Sequence, residues 1–280
     1  MIQELIIDTT NRCPLHCVYC GTDSNATMRH LPADTIRTLI VHAKEHDLGA
    51  VYLGGGCFFS HPDWRGILAL NRGVRARLVI DIPPVDAVLD MMALMPPSRY
   101  AYTASLSLWG VGECHDDLSR SSSFRNVPSF LDLLNGDTGS ARISMVLTRE
   151  LLEQSQTVID FLHAESRVAS VYFHRLMPVG RARGAALPTR DELRRFMAQM
   201  SPIAGPEREL TVRFHHTLVG EGCRAGRSRL FVDCGGDVYG CGWVGPSSRP
   251  VAVADDKRDL IAEVDTQGLR VRHLCPLPER

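Results

Sequence analysis

Three cysteines, Cys13, Cys17 and Cys20, fall within eight residues just after a first β-branched run, Leu5 to Ile7. A strand followed at once by three thiols constrains the fold more than any other feature, because the chain must gather those side chains near the end of its first strand. Pro14 disfavours helical geometry at Cys13, so the segment begins as a loop able to wrap its thiolates around one point. Three soft ligands make an incomplete structural zinc site, which wants four. They suit a 4Fe-4S cluster in which one iron is left unligated by protein.

Six further cysteines bring the total to nine in 280 residues. A chain this long buries enough core without disulfides, and a reducing compartment keeps thiols free, so metal or redox chemistry is the better expectation. Cys223, Cys234, Cys241 and Cys275 form a second group, while Cys57 and Cys114 stand alone, so two metal sites are expected. The net charge of −1 gives no long-range field for a polyanion, which argues against nucleic-acid binding. No run approaches the ~18 apolar residues of a membrane span, and Met1 leads into Gln3 and Glu4 rather than a signal sequence. A cytoplasmic protein is expected. Only Lys44 and Lys257 are lysines, and arginine supplies the remaining basic side chains.

The first two-thirds of the chain alternates β-branched runs with helical patterns. Strands are expected at Leu5 to Ile7, Val51 to Leu53, Arg77 to Ile82, Tyr100 to Leu108, Arg142 to Leu147 and Val168 to Leu176. Helices are expected over Asp34 to His46, Asp63 to Asn71, Val85 to Met95, Phe124 to Leu134 and Leu151 to His163. Six β units with helical crossovers argue for an α/β fold with a parallel sheet, either doubly wound or an open barrel. Past Pro178 the pattern changes to a loop, a helix over Asp191 to Met200, and a hairpin of Arg229 to Asp233 with Asp237 to Gly240 around Gly235 and Gly236. A boundary at 188/189 separates the barrel from this smaller module.

The segment Cys13-Pro14-Leu15-His16-Cys17-Val18-Tyr19-Cys20 resembles the CxxxCxxC loop of the radical S-adenosylmethionine (radical SAM) superfamily, with Tyr19 as the aromatic residue before the last cysteine. The resemblance implies a partial (β/α)6 barrel. It also implies a 4Fe-4S cluster whose open iron chelates S-adenosylmethionine, and a 5′-deoxyadenosyl radical that takes hydrogen from substrate. Gly54-Gly55-Gly56 follows the second strand, where the family binds the methionine amino group through a glycine pair, and His61-Pro62-Asp63 lies downstream as in many relatives. The family usually has Glu after the pair, and this chain has Cys57, which reads as a small buried thiol. Ser107-Leu108-Trp109-Gly110 resembles a Ser-Leu-Asp-Gly segment in which serine reaches the cofactor. Ser107 is the first choice for that contact and Ser105, on the same strand face, the second. Trp109 in place of Asp suggests a different substrate wall. Cys114 reads as buried.

The Cys223, Gly236 and Cys241 spacing, CX12GX4C, with a distant Cys275, resembles the twitch auxiliary-cluster domain, a relative of SPASM. This implies an auxiliary 4Fe-4S cluster on Cys223, Cys241 and Cys275. A zinc ribbon is the alternative reading of a hairpin with paired cysteines. Cys234 sits at the expected hairpin tip, some 10 to 20 Å from Cys241 at ~3.3 Å per residue if the hairpin is regular. It is a fourth ligand, a free thiol near the substrate, or an inert turn residue.

An unassigned Cys234 matches a hydrogen donor better than a ligand, which favours redox-neutral epimerisation with Cys234 as the catalytic residue. The alternative is dehydrogenation of an alcohol carbon, the auxiliary cluster taking the second electron. The cysteine loop starts at residue 13, leaving no room before it for a leader-peptide recognition domain. That favours a small polar substrate, an aminosugar or cyclitol of a natural-product pathway, over a peptide handled with a separate recognition partner. A flavodoxin- or ferredoxin-type electron donor is implied. A non-enzymatic zinc module is the remote alternative. Arg175, Arg181, Arg213 and Arg224 are candidates for a polar or anionic ligand, though a salt-bridged or solvated role is the commoner fate of arginine.

Overall fold

The structure, a computed structural model, describes residues 2–70, 77–203, 210–220, 224–243 and 250–262. Its first six strands are β1 (Glu4–Thr10), β2 (Ala50–Gly55), β3 (Arg77–Ile82), β4 (Tyr102–Leu108), β5 (Ala141–Leu147) and β6 (Val168–Arg175). Between them run α1 (Ala33–Glu45), α2 (Trp64–Leu70), α3 (Asp86–Leu94), α4 (Pro97–Tyr100), α5 (Glu113–Ser119), α6 (Val127–Thr138), α7 (Arg149–Glu153) and α8 (Ser155–Ala164). After β6 come α9 (Arg190–Met200), β7 (Thr211–Phe214), β8 (Arg229–Val232), β9 (Asp237–Tyr239) and β10 (Ala252–Val253).

Strands β1 to β6 are parallel neighbours in chain order. A doubly wound sheet reverses its order at a switch point, and this one does not, so the winding is that of a partial barrel. The helix expected over Leu151 to His163 is two, α7 and α8, broken at Gln154. Thr148 caps α7 by accepting a hydrogen bond from Leu151 N. The sequence reading missed α5, which has little apolar periodicity.

The C-terminal strands join the same sheet. β7 extends it beside β6, and β8 adds parallel to β1 at the opposite edge, carrying β9 and β10 antiparallel beyond it. The hairpin of β8 and β9 closes over Asp233 to Gly236, where Gly236 N donates to Asp233 O and Gly236 adopts φ +92°. The hairpin is continuous with the main sheet, since β8 finds its hydrogen bonds on β1.

Alternate positions on each strand fix the core. Leu5, Ile7, Val51, Leu53, Leu78, Ile80, Ile143, Met145, Val171 and Phe173 are buried on one face beneath the helices. The intervening residues line the concave face, and the register places Asp8 opposite Gly54, Asp81 opposite Ser105, Ser107 opposite Ser144, and Ser144 opposite Tyr172. That face is polar, and it ends at the strand termini from which the cysteine loop departs.

Candidate active site at the C-terminal rim of the barrel

The cysteine loop leaves β1 and is held by its own side chains. Asn25 Oδ1 accepts from Cys13 N at 2.8 Å, and Asn25 Nδ2 donates to the carbonyls of Cys13 and Leu15. Asn11 Oδ1 accepts from Arg29 N at 2.7 Å, closing the loop at its base. Cys13, Cys17 and Cys20 are all half-buried, free thiols.

Burial is the first influence on all three thiols, and the charge of Arg181 eases ionisation of Cys17 and Cys20. Burial pushes the Cys13 thiol up to about 12, with further repulsion from Cys57, Cys17 and Cys20. Cys17 is pushed up to about 11, chiefly by burial, against the pull of a hydrogen bond from the Trp109 side chain. Cys20 differs: burial again opposes ionisation, but hydrogen bonds from Ser24 and Thr22 outweigh it and draw the thiol below its ordinary value. Desolvated thiols that repel one another are what a bound cationic cluster relieves, because a coordinating thiol gives up its proton outright. The donor set fits a three-thiolate iron-sulfur site.

Gly55 and Gly56 earn their places by close approach. A Cβ on Gly55, which has φ +102°, would strike the Thr10 carbonyl, and one on Gly56 would strike Arg12 O. Gly56 N donates to Thr10 O and Cys57 N to Arg12 O at 2.6 and 2.9 Å, so the glycine run docks the cysteine loop. Gly54 has open space where a side chain would stand. Cys57 and Cys114 are buried thiols, as expected.

Ser107 Oγ lies 3.2 Å from Ser144 Oγ, and Ser105 and Ser144 both hydrogen-bond Asp81. Burial raises the Asp81 carboxyl to about 6 against those bonds, although the side chain stays open to the concave space. Asp8 rises to about 7, first from burial and then from the charge of Asp233. Cys234, in the turn after β8, is half-buried and pushed up to about 11 by burial, then by Asp8 and Asp233. The turn thus brings Cys234 to the rim near β1. Cys241 is half-buried just past β9, and Gly226 N donates to Gly240 O, laying the chain that enters β8 against the chain that leaves β9. Cys223 and Cys275 lie outside the described residues.

Several site residues escaped the sequence reading. Asp8 and Asp81 look like ordinary strand carboxylates until the register puts them on the concave face. Tyr19 Oη donates to Glu150 Oε1 at 2.7 Å, and its ring tilts against Trp109 at 6.3 Å between centroids. Trp109 also hydrogen-bonds Cys17 through its side chain. Among the four arginines, Arg224 lies 3.5 Å from Glu4, and Arg181 grips the cysteine loop. Aromatic and charged residues far away in sequence carried no local signal of these roles.

A parallel, sequentially wound partial barrel that presents three thiols after its first strand is a scaffold whose rim can hold an iron-sulfur cluster. Residues 7–102 match the family described as the Radical SAM superfamily. The radical SAM family that this segment matches implies a 4Fe-4S cluster and S-adenosylmethionine. Among solved structures, the chain is similar to Streptococcus suis SuiB bound to the precursor peptide SuiA, with TM-score 0.79 and 17% identity over 96% of this chain and 65% of that one. SuiB bound to S-adenosylmethionine also gives TM-score 0.79, at 18% identity over 96% of this chain and 66% of that one. Native anSMEcpe with bound AdoMet gives TM-score 0.69 at 13% identity, covering 93% of this chain and 79% of that one. The chain therefore spans just under two-thirds of the SuiB structures. No curated protein sequence matches it. Among the described residues no helix is long and apolar enough to cross a membrane.

Proposed function

We propose that the protein is a radical SAM epimerase of a polar small molecule, with Cys234 as the hydrogen-atom donor. When bound, the cluster and S-adenosylmethionine supply the 5′-deoxyadenosyl radical that removes hydrogen from a substrate C–H. Cys13, Cys17 and Cys20 would hold the cluster, while Tyr19, Gly54, Gly55, Gly56, Ser105 and Ser107 line the cofactor side of the rim. Cys223, Cys241 and Cys275 are proposed to hold an auxiliary 4Fe-4S cluster in a twitch-like segment from residue 189 onward. The position of Cys234 carries this reading. It stands in a turn beside Asp8, at the edge of a polar concave face, and its raised thiol keeps its proton at neutral pH.

In this scheme the Cys234 S–H bond breaks homolytically and the hydrogen goes to the substrate carbon, inverting it. The thiyl radical left behind is restored by one electron and one proton, the electron coming from a flavodoxin- or ferredoxin-type donor. Asp8 and Asp81 favour a substrate carrying hydroxyl or amino groups, such as an aminosugar or cyclitol.

Turnover in deuterated water tests the reading. Wild type should place solvent deuterium at the inverted carbon, and Cys234→Ala should still form 5′-deoxyadenosine but release no inverted product. A product oxidised by two electrons would instead establish dehydrogenation of an alcohol carbon. A peptide substrate is the second reading, favoured by likeness to a structure that holds a precursor peptide.

A further inference from the structure

On the outer face of the barrel, away from the cysteine loop, α1 presents His42, Glu45 and His46 near the end of the described chain. His42, Glu45 and Asp259 offer one ligand atom each, and these three atoms lie within 4.8 Å of one another. His42 and His46 are four residues apart, the spacing that puts two imidazoles on one helical face. His46 Nε2 lies 2.7 Å from Asp259 Oδ2, and His42 Nδ1 lies 3.9 Å from Asp259 Oδ1.

Two features separate this cluster from a chance meeting of surface charges. His42 Nδ1 is buried and has no hydrogen-bond partner, although burying such an atom unpaired is costly. The Asp259 carboxylate is also fixed in direction: Oδ1 accepts from Ala262 N at 3.0 Å, capping the helical turn that begins at Leu260. An unsatisfied imidazole nitrogen, a pre-oriented carboxylate and a second carboxylate therefore converge on one point.

We propose that His42, Glu45 and Asp259, with His46 bound to or supporting Asp259, form a binding site for a divalent transition-metal ion of the zinc class. Mixed imidazole and carboxylate donors suit zinc and its neighbours better than magnesium or calcium, which prefer all-oxygen shells. Zinc–nitrogen and zinc–oxygen bonds of about 2.0 to 2.2 Å put tetrahedral ligand atoms roughly 3.3 to 3.6 Å apart, so the 3.9 Å pair closes with a small side-chain movement. The ion would staple the C-terminal segment to α1, where Thr38 Oγ1 already donates to Asp256 O at 3.4 Å. This site is independent of the radical chemistry.

The test uses cluster-reconstituted protein, so that the cysteine sites are occupied by iron. Zinc titrated by calorimetry should bind at one equivalent per chain. His42→Gln and Asp259→Asn should each weaken binding at least tenfold without changing iron content. Cobalt(II) bound at this site should show ligand-field bands without thiolate charge transfer. Zinc should raise the melting temperature of wild type and leave that of Asp259→Asn unmoved. The more exposed His46→Gln, matched to wild type in iron content and zinc-free melting, guards against misfolding. No saturable zinc binding to the loaded wild type, equal affinity in the variants, thiolate bands with cobalt, or loss of iron on adding zinc would each overturn the proposal.

Discussion

Arg181 Nε donates a 2.8 Å hydrogen bond to the Cys17 carbonyl, across 164 residues of sequence. Arg181 N also donates to Cys20 O at 2.9 Å, and Nη1 to Ser24 O at 2.8 Å, so one residue holds the cysteine loop at three carbonyls. Its neighbour Gly180 has φ +57° and lies where a Cβ would strike the carbonyls of Cys20 and Gly21.

The Arg181 clamp should therefore govern cluster retention. Arg181→Ala is expected to lose at least half of the iron held by the first site after anaerobic reconstitution. Arg181→Lys should recover little, because one ammonium cannot reproduce the planar fork. Iron and sulfide content per chain is the measurement, and wild-type content in both variants would refute the clamp.

Cys57 stands where the family usually has Glu, yet its side chain is only 1% exposed. What docks the cysteine loop there is the Cys57 backbone, whose N–H donates to Arg12 O at 2.9 Å. Cys57→Ala keeps that bond. It should hold wild-type iron, cleave S-adenosylmethionine within about twofold of wild type, and lose about 1 kcal/mol of stability from the missing buried sulfur and its hydrogen bonds. Loss of the cluster in this variant would make Cys57 more than a packing residue.

Asp8 predicts a decline of stability with rising pH. Its carboxyl is raised to about 7 in the fold by burial and by Asp233, so the folded state keeps a proton that the unfolded chain releases near pH 4. The resulting penalty is absent below pH 4 and grows as pH rises towards 7. Asp8→Asn should flatten the fall in melting temperature between pH 5 and 8. Asp81, raised to about 6 mainly by burial, acts with the same sign, so the double Asn variant should be flatter still.

His115 predicts the opposite slope at lower pH. It is fully buried, accepts from Trp109 N at Nδ1, and meets Ser123 Oγ at 3.0 Å through Nε2. Burial lowers it to about 4, so the fold holds the neutral imidazole. Its contribution is complete above pH 6.5 and is lost as pH falls towards 4, on the order of 3 kcal/mol in all. His115→Gln should reduce the acid-side slope of stability in chemical denaturation, while His174 and His215, lowered to about 4 and about 3 by burial, keep part of it.

Much of the barrel was legible in the chain. Strands buried on one face announce themselves through β-branched runs, and β3 ends where the pattern said, at Arg77 and Ile82. The thiol spacing of Cys13, Cys17 and Cys20 is local, and local chemistry survives in sequence. The glycine run was visible too, although the reason for Gly55 and Gly56, the carbonyls of Thr10 and Arg12, was not.

Tertiary structure alone decided which distant residues serve the loop. Strand parity shows that Asp8 and Asp81 alternate with apolar neighbours, but only the register makes them share a concave face. The pairing of β8 with β1 carries Cys234 to the rim, a relation set by hydrogen bonds between segments more than two hundred residues apart. Arg181 on Cys17, Trp109 on Cys17 and Asp259 against His42 are likewise products of chain closure. Sequence determines which atoms can bind and which runs can pair, while closure of the sheet fixes which of them meet, because those contacts form only when the backbone has satisfied its own donors and acceptors.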